Sequence, residues 1–107
     1  MVDEDKKRAA QQALVKRVLG GEGKASAEQR AVAFRNGGGL APPLDALIGK
    51  VVDAPAQVGA ADLAAAKASG CTEDELFELV VCAAVGQSAR LYDAGLAALV
   101  EATAEEA

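Results

Sequence analysis

Five side chains carry most of the reactive chemistry this sequence offers: Cys71, Cys82, Asp62, Lys50 and Arg90. Cys71 stands just before a helix start, where the positive end of the helix dipole lowers a thiol pKa. It is therefore a candidate for single-thiol redox chemistry, or a hydrophobic residue packed against that helix start. Cys82 lies inside an apolar run and reads as a small buried hydrophobe. With one helix between them, the two sulfurs are roughly 15 Å apart. A disulfide needs Cα atoms within about 7 Å, so no intrachain bridge is expected. Asp62, near the start of an Ala-rich segment, could act as acid or base, bind a polar group, or serve only the helix dipole. Lys50 and Arg90 interrupt otherwise apolar faces. Each could hold an anionic ligand, pair with Asp62 or Asp93, or extend its charge to water over an apolar stem. Lys50, Asp62 and Arg90 form the candidate ligand-binding set; Asp62 and Cys71 are the catalytic candidates.

The chain has no histidine. That excludes Ser-His-Asp and Cys-His nucleophile systems, His-ligated zinc and c-type haem attachment. The acids Glu73, Asp74, Glu75 and Glu78 lack the alternating spacing and glycine of a calcium loop, so no metal site is expected. No cofactor is expected either. Gly37-Gly38-Gly39 lacks the Lys-Ser/Thr that follows a phosphate-binding loop and reads as a helix stop. Arg30 and Arg35, with Gln29, are expected on an exposed helix face. A formal net charge of −5 and 3% aromatics argue against a nucleic-acid partner.

These residues must be positioned by helices. The chain has 107 residues, one domain's worth, and 51% of them are apolar. Nearly half of those are Ala, the best helix former, which buries little area. An all-α fold of antiparallel helices with a thin core follows, and a thin core favours a partner subunit. The pattern predicts a helix over 3–19, with Ala10, Ala13, Leu14 and Val18 and, off the line, Val15 and Leu19 suggesting one face, ended by Gly20-Gly21. Residues 1–24 are expected as a loosely attached helical arm with its connection, 25–102 as the core, and 103–107 as a frayed acidic tail.

Within the core, a Ser26–Gln29 capping box opens a helix running to about Asn36. Leu44, Leu47, Ile48, Val51 and Val52 form the stripe of the next helix, which Pro55 ends. An Ala-rich helix starts near Gly59 and ends at Gly70. A Thr72–Glu75 capping box opens the most apolar helix, from Leu76 to Val85, which should be shielded on several sides, in part by sister chains. Gly86-Gln87-Ser88 could break it. A last helix would follow over 88–102, with Leu91, Tyr92, Leu96, Leu99 and Val100 inward. The longest apolar run, 79–85, is far short of the roughly 20 residues that span a bilayer. With a charged N-terminus and no apolar segment after it, the chain is expected in the cytoplasm, away from membranes, with reduced thiols.

The run over 62–99 combines an Ala-rich helix, the turn Ala-Ser-Gly-Cys-Thr-Glu-Asp-Glu, an apolar helix with Ala83-Ala84, Gly86, and a helix carrying Arg90 and Leu91. With the preceding helix, residues 44–99 resemble the core of the alkylhydroperoxidase D / carboxymuconolactone decarboxylase superfamily. The resemblance implies an all-helical protein assembled as a trimer or hexamer. It also implies a Cys-x-x-Cys-x-x-x-His motif, but those positions fall on Pro55, Val58 and Asp62, and the upstream Glu falls near Pro42-Pro43. What it then implies is a non-peroxidatic member that binds a small molecule or a partner protein in an inter-subunit cleft. The alternatives are altered chemistry on the same scaffold, through Asp62 or Cys71, and a purely structural oligomer.

Overall fold

The computed structural model describes the backbone of residues 2–106 and the side-chain surroundings of residues 5–104. The chain is all-helical: α1 (Val2–Gly20), α2 (Ala27–Arg35), α3 (Leu44–Asp53), a short 3-10 turn (Pro55–Gln57), α4 (Ala60–Ala68) and α5 (Glu73–Glu106). No strand occurs among the described residues, and none of their helices is long and apolar enough to cross a membrane.

Local chemistry sets the helix starts. Ser26 Oγ accepts the Gln29 amide at 3.0 Å, and Gln29 Oε1 accepts the Ser26 amide at 3.4 Å. Thr72 and Glu75 repeat the exchange at the head of α5, at 3.2 and 3.0 Å. Each box satisfies two amides that a helix start leaves without partners. After α2 the chain turns through Gly37, whose φ of +80° lies in the left-handed region. The position is also sterically closed, because the Ile48 side chain lies directly against it.

Four helices gather around the first half of α5. Leu76, Leu79, Cys82 and Ala83 of α5 pack with Ala33 of α2, Leu44, Leu47 and Ile48 of α3, and Ala66 of α4. The predicted α3 stripe is thus the face that packs, with Val51 and Val52 half-buried at its end.

The principal departure from expectation is α5 itself. It runs unbroken for 34 residues, through Gly86 and through residues 103–106. Gly86 is not a break. It is buried where α2 crosses, and a side chain there would collide with the backbone of Phe34. Here glycine sets how closely two helices approach. The expected inward face beyond it is not formed: Leu91, Leu99 and Val100 are 63%, 62% and 68% exposed, with Tyr92 and Leu96 half-buried. The reason is geometric, since α2, α3 and α4 all pack on the earlier half of α5. Phe77 is likewise 70% exposed within this chain, despite lying in the apolar run.

α1 also differs from the expected loose arm. It lies antiparallel to α5, and the Cys82 thiol points at the Val18 carbonyl, 3.4 Å away. The packed line is Gln11, Val15 and Val18 rather than Ala10, Ala13 and Leu14, which stay exposed. The molecule is consequently elongated, at 56 × 28 × 21 Å. Its radius of gyration of 16.2 Å exceeds the roughly 13 Å of a compact chain this long.

Candidate functional site

The largest departure from ordinary packing lies where the end of α1 meets α2 and the start of α5. Arg30, one turn inside α2, was expected on the surface. It is instead about nine-tenths buried. Its Nη1 donates to the carbonyls of Gly21 at 2.6 Å and Val18 at 3.3 Å. These are carbonyls that the end of α1 cannot satisfy internally, so Arg30 caps that helix from outside. Its Nε is buried without a hydrogen-bond partner. An unmade bond on a buried charged donor is costly, about 1–3 kcal/mol or more.

Arg30 forms part of the wall of an open cleft of about 510 Å³. Arg17, Val18, Gly21 and Glu22 contribute from the α1 side, and Phe77, Glu78, Val81 and Cys82 from α5. The cleft therefore combines two guanidinium groups with an apolar wall. Of its two acids, Glu78 is already engaged. Its carboxylate accepts the Lys24 amide at 2.8 Å and the Ala25 amide at 2.6 Å, fixing the connection just before Ser26. Those two amides, Ala25 foremost, hold the Glu78 carboxyl below the usual carboxylate range, with smaller help from Arg30 and Lys24. Burial pushes the Cys82 thiol up, and Arg30 only partly offsets this. At neutral pH the acid is ionised and the thiol protonated. Neither is poised for proton transfer, which works best with a pKa near the working pH.

A consequence of the Glu78 anchor can be measured. Because its folded pKa is depressed, its stabilisation is complete above the unfolded value of about 4.3 and is lost as pH falls through the lower folded value. Glu78→Gln should therefore be less stable than the parent at neutral pH, with the gap closing on acidification through the carboxylate range. Urea midpoints from neutral pH downward read this; a gap independent of pH would contradict it.

The residues singled out from sequence lie elsewhere. Lys50 Nζ and Asp62 Oδ1 pair at 2.9 Å, while Asp62 Oδ2 accepts the Gly59 amide at 3.0 Å. Lys50 first, then Gly59, lowers the Asp62 pKa. The ionised carboxylate thus caps α4 and ties it to α3. Arg90 donates from Nη1 to the Phe34 carbonyl at 2.8 Å and from Nη2 to Gln87 Oε1 at 3.1 Å, holding the end of α2. Cys71 is half-buried against the core. Desolvation, and then Glu75, raise its pKa, so the expected helix-dipole activation is outweighed. The structure brings together Lys50 and Asp62. No hydrogen bond or ion pair joins Arg90 or Cys71 to them among the described residues. Nor do those residues contain three or more Cys, Asp or Glu side chains grouped as metal ligands.

Sequence reasoning missed Arg30 and Glu78. A signal existed for Glu78, the lone charge inside the apolar run from Leu76 to Val85. For Arg30 the signal was weaker: it lies three residues before Ala33, on the buried side of α2. In comparison with known proteins, no family model, no curated protein and no solved structure matches this chain.

Proposed function

We propose that this chain is a binding protein whose α1–α2–α5 cleft takes a small carboxylate with an apolar body. The observation that carries the reading is Arg30, a residue of the cleft wall whose buried Nε makes no hydrogen bond. The Nε edge of a guanidinium suits a carboxylate, which it can grip with two parallel bonds. Phe77, Val81 and Val18 offer the apolar surface beside it, and Arg17 adds a second cation. On this reading the scaffold is the alkylhydroperoxidase D-like one suggested by residues 44–99, used for binding without the sulfur couple. The chain has no His and no Cys-x-x-Cys pair, which bears on the missing sulfur couple alone.

Thermal unfolding in the presence of octanoate, octanamide and octanol tests the reading. Octanoate should raise the melting temperature, because a ligand at 100 times its Kd stabilises the native state by about 2.7 kcal/mol. The neutral analogues should do much less. Arg17→Gln should weaken the octanoate effect without touching the bonds that Arg30 makes to α1. Equal shifts from all three compounds, or none from octanoate, would refute a carboxylate site.

A further inference from the structure

We infer that α5 is an antiparallel dimerisation helix, and that the surface it leaves bare is covered by the α5 of a second copy of this chain. The pattern lies on the face turned away from α2. Phe77, Val81, Ala84, Ser88, Leu91, Gly95, Ala98 and Ala102 recur at alternating steps of four and three. That is the repeat of a two-helix seam, and it places all eight on one stripe of a helix. Every one is exposed except Val81, which is half-buried. None is charged. Such a stripe, roughly 38 Å long at 1.5 Å per residue, is unusual for a surface in water.

The area supports an occupant of this size. The chain exposes 7048 Å², whereas a folded monomer of 10.8 kDa is expected to expose about 5,500 Å². The excess of roughly 1,500 Å² exceeds the ~800 Å² that each partner loses in a standard stable interface. It lies within the range of obligate homodimers, whose interfaces are the apolar ones.

The sequence selects the direction. With two copies antiparallel about a two-fold axis midway between Ser88 and Leu91, three of the four seam pairs join a larger residue to a smaller one, and the fourth joins two small ones. Phe77 faces Ala102, Val81 faces Ala98, Leu91 faces Ser88, and Ala84 faces Gly95. Large side chains fill the space left by small ones, as close packing requires. The Ala84–Gly95 pairs flank the axis and let the backbones approach to about 8 Å. A parallel pair would set Phe77 against Phe77 and leave Ala98 and Ala102 facing themselves across a gap. It would also align the two helix dipoles with each other. The antiparallel pair avoids all three. This dimer differs from the trimer or hexamer that the family resemblance implies. It rests on the α5 stripe and needs no ligand, but Phe77 and Val81 also edge the Arg30 cleft, so the second copy would cover part of that cleft's apolar wall.

Light scattering and engineered crosslinking test the inference. The full chain should have twice its monomer mass, and Leu91→Glu should halve that mass while helicity by circular dichroism is retained, since Leu91 lies outside the core. In a Cys71→Ser background, Ala84→Cys and Gly95→Cys should crosslink when the two variants are mixed and oxidised. Each alone should not, because like positions would be about 16 Å apart along the axis. A monomer, trimer or hexamer would overturn the inference. So would an Ala84→Cys chain that crosslinks to itself, a mixture that fails to crosslink, or a Leu91→Glu chain that stays dimeric.

Discussion

Replacing Gly86 by Ala should lower the melting temperature by roughly 10–20 °C, although the same change elsewhere in a helix is stabilising. Ala ordinarily gains up to about 1 kcal/mol over Gly in a helix interior. At Gly86 the added methyl would fall on the carbonyl oxygen, carbonyl carbon and Cα of Phe34. Those are backbone atoms of α2, which no rotamer change can clear. The two helices must move apart, and their contact is the centre of the core. Overpacking of a close-packed interior costs about 1–3 kcal/mol, occasionally more. For a domain near 100 residues, each kcal/mol moves the melting temperature by about 4–8 °C. Gly49 supplies the control. It sits inside α3 with nothing within 4 Å of an added Cβ, so Gly49→Ala should be neutral or slightly stabilising. The Arg90 bond to the Phe34 carbonyl should weaken with the same displacement. If Gly86→Ala melts with the parent, α2 does not pass where the structure places it.

That glycine also shows what could be read from the sequence and what could not. Helix starts were legible because capping is local: Ser26, Thr72 and their partners three residues on determine it without reference to the rest of the fold. The α3 stripe was legible because five apolar residues at helical spacing permit one packed face. Gly86 was not, because a glycine that ends a helix and one that admits a neighbour look alike until the neighbour is present. The fate of Phe77, Leu91 and Leu99 was illegible for a related reason. Periodicity says that a face is apolar, not whether its cover comes from the same chain.

The candidate site was less legible still. Asp62 and Lys50 were recognised as a possible pair, and they do pair, but as a cap and tie rather than a reactive centre. Cys71 depended on two opposing physical effects. The helix dipole lowers a thiol pKa and burial raises it, and only the half-buried environment beside Glu75 decides between them. Arg30 required knowing that the last carbonyls of α1 would end beside it, a contact across a chain reversal that no local pattern contains.

Leu79→Ala and Phe77→Ala, two residues apart on one helix, should have effects of different kind. Leu79 is fully buried in a core with few large side chains. Truncating it removes transfer energy and leaves a cavity, a loss of about 2–5 kcal/mol. A small domain holds only about 5–15 kcal/mol in all, so much of the native state's margin goes with it. Phe77 is the larger side chain, yet it is 70% exposed in the monomer. Its truncation should change monomer stability by no more than about 0.5 kcal/mol, as for an ordinary surface site. Its effect belongs to the dimer. Unfolding of a dimer depends on protein concentration, whereas unfolding of a monomer does not. Urea titrations at two concentrations separate the cases. Leu79→Ala should lower both midpoints and keep the gap between them, because the α5 stripe remains intact. Phe77→Ala should narrow the gap and leave the low-concentration midpoint near that of the parent. If Phe77→Ala instead costs as much as Leu79→Ala at every concentration, that aromatic ring is buried within its own chain and the exposed face on which the dimer rests does not exist.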